Sequence, residues 1–103
     1  MKYTVNLTQK AIDDIGEILE YISNVLCEKE AAINIINLLH QNILSLEEMP
    51  GRFRIYENEP WKSRGLHIMP VKKYLIFYMI DNTTMNVNIV RVLYGSRDYD
   101  KLI

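Results

Sequence analysis

The chain has 103 residues and a mass of 12.2 kDa, the size of one domain rather than two. Its 49% apolar and 24% charged residues exclude a disordered tail, a collagen-like fibre and a low-complexity linker. Cys27 is the only cysteine, which excludes an internal disulfide and a multi-cysteine metal site; no metal or other cofactor is expected. The longest apolar run, Tyr74 to Ile80, falls far short of the ~20 residues that span a bilayer. Met1-Lys2 leads into an alternating segment with no apolar stretch of the signal-peptide kind. A soluble, cytoplasmic protein without a membrane partner is expected.

The net charge of −1 hides a segregation. Ala11 to Glu30 holds six acids and one base, whereas Gly51 to Tyr74 holds six bases and two acids. An acidic first half joined to a basic second half sets up a local field that steers an anionic partner, or else each set is a solvated face.

In chain order, Lys2 to Leu7 alternates apolar and polar residues and predicts a half-buried strand. Thr8 is placed to cap a helix whose early Asp13 and Asp14 suit the helix dipole. Ile12, Ile15, Leu19, Ile22 and Leu26 recur at helical steps, so this helix is predicted to reach about Leu26. A second helix is predicted from about Glu30 to Glu48, stopped by Met49-Pro50-Gly51. Ten of the sixteen residues from Ala31 to Leu46 are apolar, more than one core-facing stripe requires. Ile33, Ile36 and Leu44 fall away from the Ile35-Leu39-Leu46 face. Either this helix is sandwiched inside the fold or it offers an apolar patch to a partner.

After Gly51 the period changes to two. Arg52 to Tyr56 reads as a short strand and Arg64 to Met69 as a second extended stretch broken by Pro70. Tyr74 to Ile80, apolar on both faces, reads as a central strand covered on both sides. Asp81 to Thr84 forms a hairpin turn, Met85 to Tyr94 a last strand, and Ser96 to Ile103 a tail with one helical turn. The expected fold is α+β: a β-α-α-β-β-β order in one domain over 1–103, with a helical hairpin on one antiparallel sheet.

Familiar catalytic signatures are missing. The four glycines are scattered, so no phosphate loop exists. His40, His67 and Cys27 have no ligand spacing, and Ser63 and Ser96 lie in no nucleophile elbow. What remains is a basic, aromatic second half: Lys62, Arg64, His67, Lys72, Lys73, Arg91 and Arg97, with Tyr56, Trp61 and Tyr99. Metal-free RNA cleavage needs an acid, a base and cations around the phosphate. His67 suits the acid or base, and Arg64 and Arg97 the clamps. Alternatively, Arg64 and Lys73 are edge charges that discourage sheet-to-sheet association.

The run Glu59-Pro60-Trp61-Lys62-Ser63-Arg64-Gly65-Leu66, followed by Val71-x-x-Tyr74-Leu75-Ile76-Phe77-Tyr78-x-Ile80-Asp81, resembles the RelE/ParE toxin superfamily. So do the Ala11-x-x-Asp14-Ile15 helix start and the ending Val90-Arg91-Val92-Leu93-Tyr94-Gly95-x-Arg97-Asp98-Tyr99, the latter typical of the ParE side. The resemblance implies the toxin of a bacterial type II toxin–antitoxin pair, neutralised by a cognate antitoxin. RelE-like members cut mRNA on the ribosome; ParE-like members poison DNA gyrase. Ribonuclease members commonly carry an arginine directly after the tyrosine that here is Tyr74, and this chain has Leu75. Losing such a clamp costs on the order of 3–4 kcal/mol of transition-state stabilisation. Leu75 and the low pI of 6.1 favour the ParE-like reading, with gyrase as target, the ribosome as alternative, and no sequence-specific DNA binding by this chain alone. An inert antitoxin-binding module is a third reading. From the residues themselves, toxicity is expected to rest on Lys62, Arg64, Arg97 and Tyr99, and antitoxin contact on the outward Ile33, Ile36 and Leu44. If the chain is an RNase, the implied catalytic set is Arg64, His67, Arg97 and Tyr99.

Overall fold

The alternating start becomes β1 (Thr4–Leu7) in a computed structural model that describes residues 2–96 and 99–103. Thr8 turns the chain into α1 (Gln9–Glu20), its hydroxyl accepting the Ala11 N–H. The same hydroxyl reaches the Ile89 and Val90 carbonyls, so one residue caps the helix and ties it to the sheet. A π-helical turn, Tyr21–Val25, continues the helix. Cys27, at a φ of 55°, then reverses the chain into α2 (Lys29–Leu44). The two helices form the predicted hairpin.

α2 settles the question its composition posed. Ala32, Leu39 and Ile43 are buried, whereas Ile33 is 58% and Leu44 42% exposed. The helix packs on one side only and shows apolar surface on the other; Ile36 lies half-buried between.

The predicted strand from Arg52 to Tyr56 does not form. Pro50–Arg52 is a 3-10 turn, and only Ile55 bridges to His67. The Arg52 guanidinium explains the difference, because it folds back to donate to the Glu48 carbonyl at 2.6 Å and to Ser45 Oγ at 2.7 Å. It thereby satisfies carbonyls at the end of the helical layer. Trp61–Arg64 forms a short helix, α3, ended by Gly65 in left-handed geometry at φ 76°, a conformation that an alanine there would strain. The extended stretch consequently starts later than predicted, as β2 (His67–Val71). Pro70 does not break it, because β2 is an edge strand and needs no N–H on its outer side.

β3 (Tyr74–Asp81) and β4 (Asn86–Tyr94) complete a sheet of order β1-β4-β3-β2. The expectation of one antiparallel sheet is corrected here: β1 pairs with β4 in parallel, Thr4 opposite Asn86 and Leu7 opposite Ile89. The long helical excursion between β1 and the other strands allows the first strand to join the last in either direction. Alternation along β1 says nothing of which. β3 is covered on both faces, as its composition required. Ile76 and Tyr78 pack under the helices with Leu39 and Ile89. Phe77 packs on the far side with Tyr56, Leu66 and Leu93, covered by Tyr99, Leu102 and Ile103. The predicted tail turn is the 3-10 turn Tyr99–Lys101.

Tyr78 anchors the loop after the helices: its buried hydroxyl donates to the Pro50 carbonyl at 2.5 Å. Burial pushes its phenol up to about 12, against a smaller downward pull from Arg52. An unfolded tyrosine ionises near pH 10, so between about pH 10 and 12 the unfolded chain holds fewer protons and stability falls as pH rises. Tyr78→Phe strands the Pro50 carbonyl, at a cost of about 1–3 kcal/mol near neutral pH, and removes that alkaline loss. Urea midpoints should show the variant weaker at pH 7 and the gap narrowing by about pH 11. An equal gap at both would contradict this.

Candidate functional site

Two surfaces gather the residues of interest. The first is a groove of about 970 Å³ between the helical hairpin and one end of the sheet. Ile18, Tyr21, Ile22, Leu26 and Ile35 form its helical wall, and Tyr74, Val92 and Tyr94 its strand wall. It exists because β1 stops opposite Ile89 while β4 runs on to Tyr94, so the last residues of β4 pair with β3 on one side and with no strand on the β1 side. At Phe77/Tyr78 the register with β4 slips by one residue, with Val90 the extra one. Just beyond this bulge Asp14 on α1 meets the open edge. Its carboxylate accepts Arg91 Nε at 2.8 Å, Arg91 Nη2 at 2.9 Å and the Val92 N–H at 3.0 Å.

Tyr21, 55% exposed, and Leu26, 48% exposed, give the groove an apolar lip. The Tyr74 and Tyr94 rings meet edge-on at 5.8 Å. Burial raises the Tyr74 phenol above its ordinary value, and the neighbouring Tyr94 and Tyr21 phenols add to the rise. Concave, apolar and rimmed by hydroxyls and charges, the groove has the chemistry of a seat for an amphipathic helix. Ile33 and Leu44 stand on the outward face of α2 and do not line it; α2 contributes Ala31 and Ile35. Sequence reasoning missed the groove residues because Ile18, Ile22 and Ile35 carry the same periodic signal as core.

The second surface lies beside β2. Arg64 and His67 line one polar cleft of about 600 Å³ with Tyr3, Glu48 and Asn82. Arg64 rests over the Trp61 ring, 5.3 Å from its centroid, and Lys62 is exposed beside it. His67 faces the helical side, stacked on Tyr78 at 5.2 Å, with Nδ1 2.9 Å from the Gly65 carbonyl oxygen. Tyr99 lies on the opposite side of the sheet, packed against Phe77 and Tyr56 at 5.6 and 6.0 Å. Leu75 also faces that far side, among the apolar side chains around Phe77. The sheet therefore separates Tyr99 from the Arg64–His67 pair. Arg91, counted in sequence among possible phosphate ligands, is held instead by Asp14, which keeps its guanidinium above its ordinary value. Arg97 lies outside the described residues. Among those described, no cluster of three His, Cys, Asp or Glu residues suits a metal ion.

A family model described as the ParE toxin of the type II toxin–antitoxin system, parDE, matches residues 5–99. Comparison with curated proteins yields no match. Solved structures share the fold. The chromosomal ParDE system of P. aeruginosa superposes with a TM-score of 0.73 at 16% identity, over 90% of this chain and 96% of that one. The toxin–antitoxin complex RelBE2 of Mycobacterium tuberculosis gives 0.63 at 20% identity, over 91% and 99%. A mutant of the E. coli toxin RelE in the free state gives 0.62 at 13% identity, over 99% and 93%.

Proposed function

The chain belongs to the ParE toxin family of type II toxin–antitoxin systems, and from that premise we propose that it arrests growth by poisoning DNA gyrase and is neutralised by a cognate antitoxin seated in the apolar groove. The observation that carries the non-nucleolytic reading is the dispersal of the acid–base residues. His67 and Tyr99 lie on opposite faces of the sheet, Arg91 is engaged by Asp14, and an aliphatic Leu75 sits in the far-side cluster. Acid–base cleavage of RNA needs these groups around one phosphate. An inhibitor that works by contact has no such requirement.

Lys62 and Arg64, exposed on α3, are the cations presented for target contact, and Arg97 joins them on its sequence position alone. The double variant Arg64→Ala, Arg97→Ala should lose growth arrest on induced expression, and Arg64→Ala alone should melt within about 2 °C of the parent, since an exposed charge contributes little to folding. Full toxicity in the double variant would overturn the assignment. Tyr99 belongs to the packed far side, so its replacement should weaken folding as well as toxicity.

Induced expression in a bacterial host tests the function itself. Growth arrest with a DNA-damage response, relieved by co-expression of a cognate antitoxin, is the expected result. Rapid loss of translation without DNA damage would favour ribosomal mRNA cleavage, and unchanged growth a non-toxic binding module.

A further inference from the structure

The charges lining the groove are sorted by wall. Glu17 and Glu28 stand on the helical wall, and Lys72 and Lys73, at the β2–β3 turn, on the strand wall. Asp14, also on the helical wall, is engaged by Arg91. Among the described residues no ion pair joins either lysine to either glutamate; Glu17 feels the Arg91 charge without an ion pair to it, and Glu28, Lys72 and Lys73 face the groove for an incoming chain. A helix laid apolar side down in such a groove brings one flank against each wall. Resting on the reading of the groove as the antitoxin's seat, we propose that its occupant is an amphipathic helix with an acidic flank along Lys72–Lys73 and a basic flank along Glu17–Glu28, and that this pairing sets the direction in which the helix runs.

The directional consequence is geometrical. Turning a helix end for end with its apolar face down exchanges its two flanks. Of the two directions in which a helix with oppositely charged flanks can lie, one places both flanks against opposite charge and the other places both against like charge. Like-charge contact is the element that rejects the wrong arrangement. The apolar floor supplies affinity, and the rims supply orientation and specificity.

Four designed helical peptides with one common leucine face and flanks of Glu/Lys, Lys/Glu, Glu/Glu or Lys/Lys test this against the full chain. Cys27, exposed and lying between the groove residues Leu26 and Glu28, takes a nitroxide that reports which peptide end lies near. The two opposite-sign peptides should bind alike, about tenfold more tightly than the same-sign pair, and with opposite ends at Cys27. The advantage should shrink at high salt. The variant Lys72→Glu, Lys73→Glu makes both walls acidic and should transfer the preference to the Lys/Lys peptide. Equal affinities for all four, or one shared direction, would overturn the charge proposal and leave the groove reading standing. No binding by any peptide, or a dimer in gel filtration whose second copy blocks the groove, would overturn both.

Discussion

Asp14→Ala is expected to cost on the order of 3–5 kcal/mol of folding free energy, the loss that follows when one partner of a buried ion pair is removed. At about 4–8 °C per kcal/mol for a domain near this size, melting should fall by at least about 12 °C. The carboxylate is 7% and the guanidinium 15% exposed, so neither ion is well screened by water. Arg91 Nη1 also donates to the Leu102 carbonyl at 2.5 Å. One guanidinium thus joins α1, β4 and the C-terminal cover of the far side. Without Asp14 it is a mostly buried cation whose hydrogen-bonded counter-ion is gone, with Glu17 acting on it only at longer range, and the Val92 N–H loses its acceptor. Replacing both partners, as Asp14→Ala with Arg91→Met, should recover part of the loss because no unpaired charge remains. Thermal melts of the single and double variants check this. A single variant that melts like the parent would show that the pair does not hold the helix to the sheet.

Leu26→Asp is expected to leave the toxin folded and toxic but to weaken its antitoxin complex by about tenfold or more, because it sets an unpaired carboxylate in the interface. Leu26 is 48% exposed at the groove lip, so a polar residue there costs the monomer little. In the complex the same carboxylate would be buried against an apolar helix face, where it has no partner. The outcome is therefore asymmetric: arrest persists and rescue fails. Titration calorimetry with the purified antitoxin, beside a growth assay with both proteins expressed, reads both halves. Undiminished affinity would remove the groove from the antitoxin interface.

How much of this was legible in the sequence differs by element. Period alone gave the helical hairpin and the doubly covered β3, because each buried face left its own spacing of apolar residues. The parallel pairing of β1 with β4 left no mark, since pairing direction does not alter alternation. Arg52 disguised a turn as a strand: its alternation with Phe53 and Arg54 is extended-like, but the side chain caps helical carbonyls instead. Pro70 misled in the opposite sense, because its effect on a strand depends on whether the strand is at an edge. At the site, the Asp14–Arg91 pair spans 77 positions and links two residues that look like ordinary surface charges. The excess apolar content of α2 left burial and an exposed patch both open, and the exposed Ile33 and Leu44 decide for the patch. The deeper apolar feature is the groove, where helix and strand residues meet that sequence reading places in one core.

Purified gyrase with supercoiled DNA tests the central claim most directly, run beside a translating-ribosome mRNA cleavage assay on the same preparation. The account predicts protein-linked DNA breaks that accumulate with the toxin and disappear when antitoxin is added, while the mRNA stays intact. Cut mRNA with gyrase unaffected would contradict it, and would mean that Arg64, His67 and Arg97 cleave RNA with leucine at position 75.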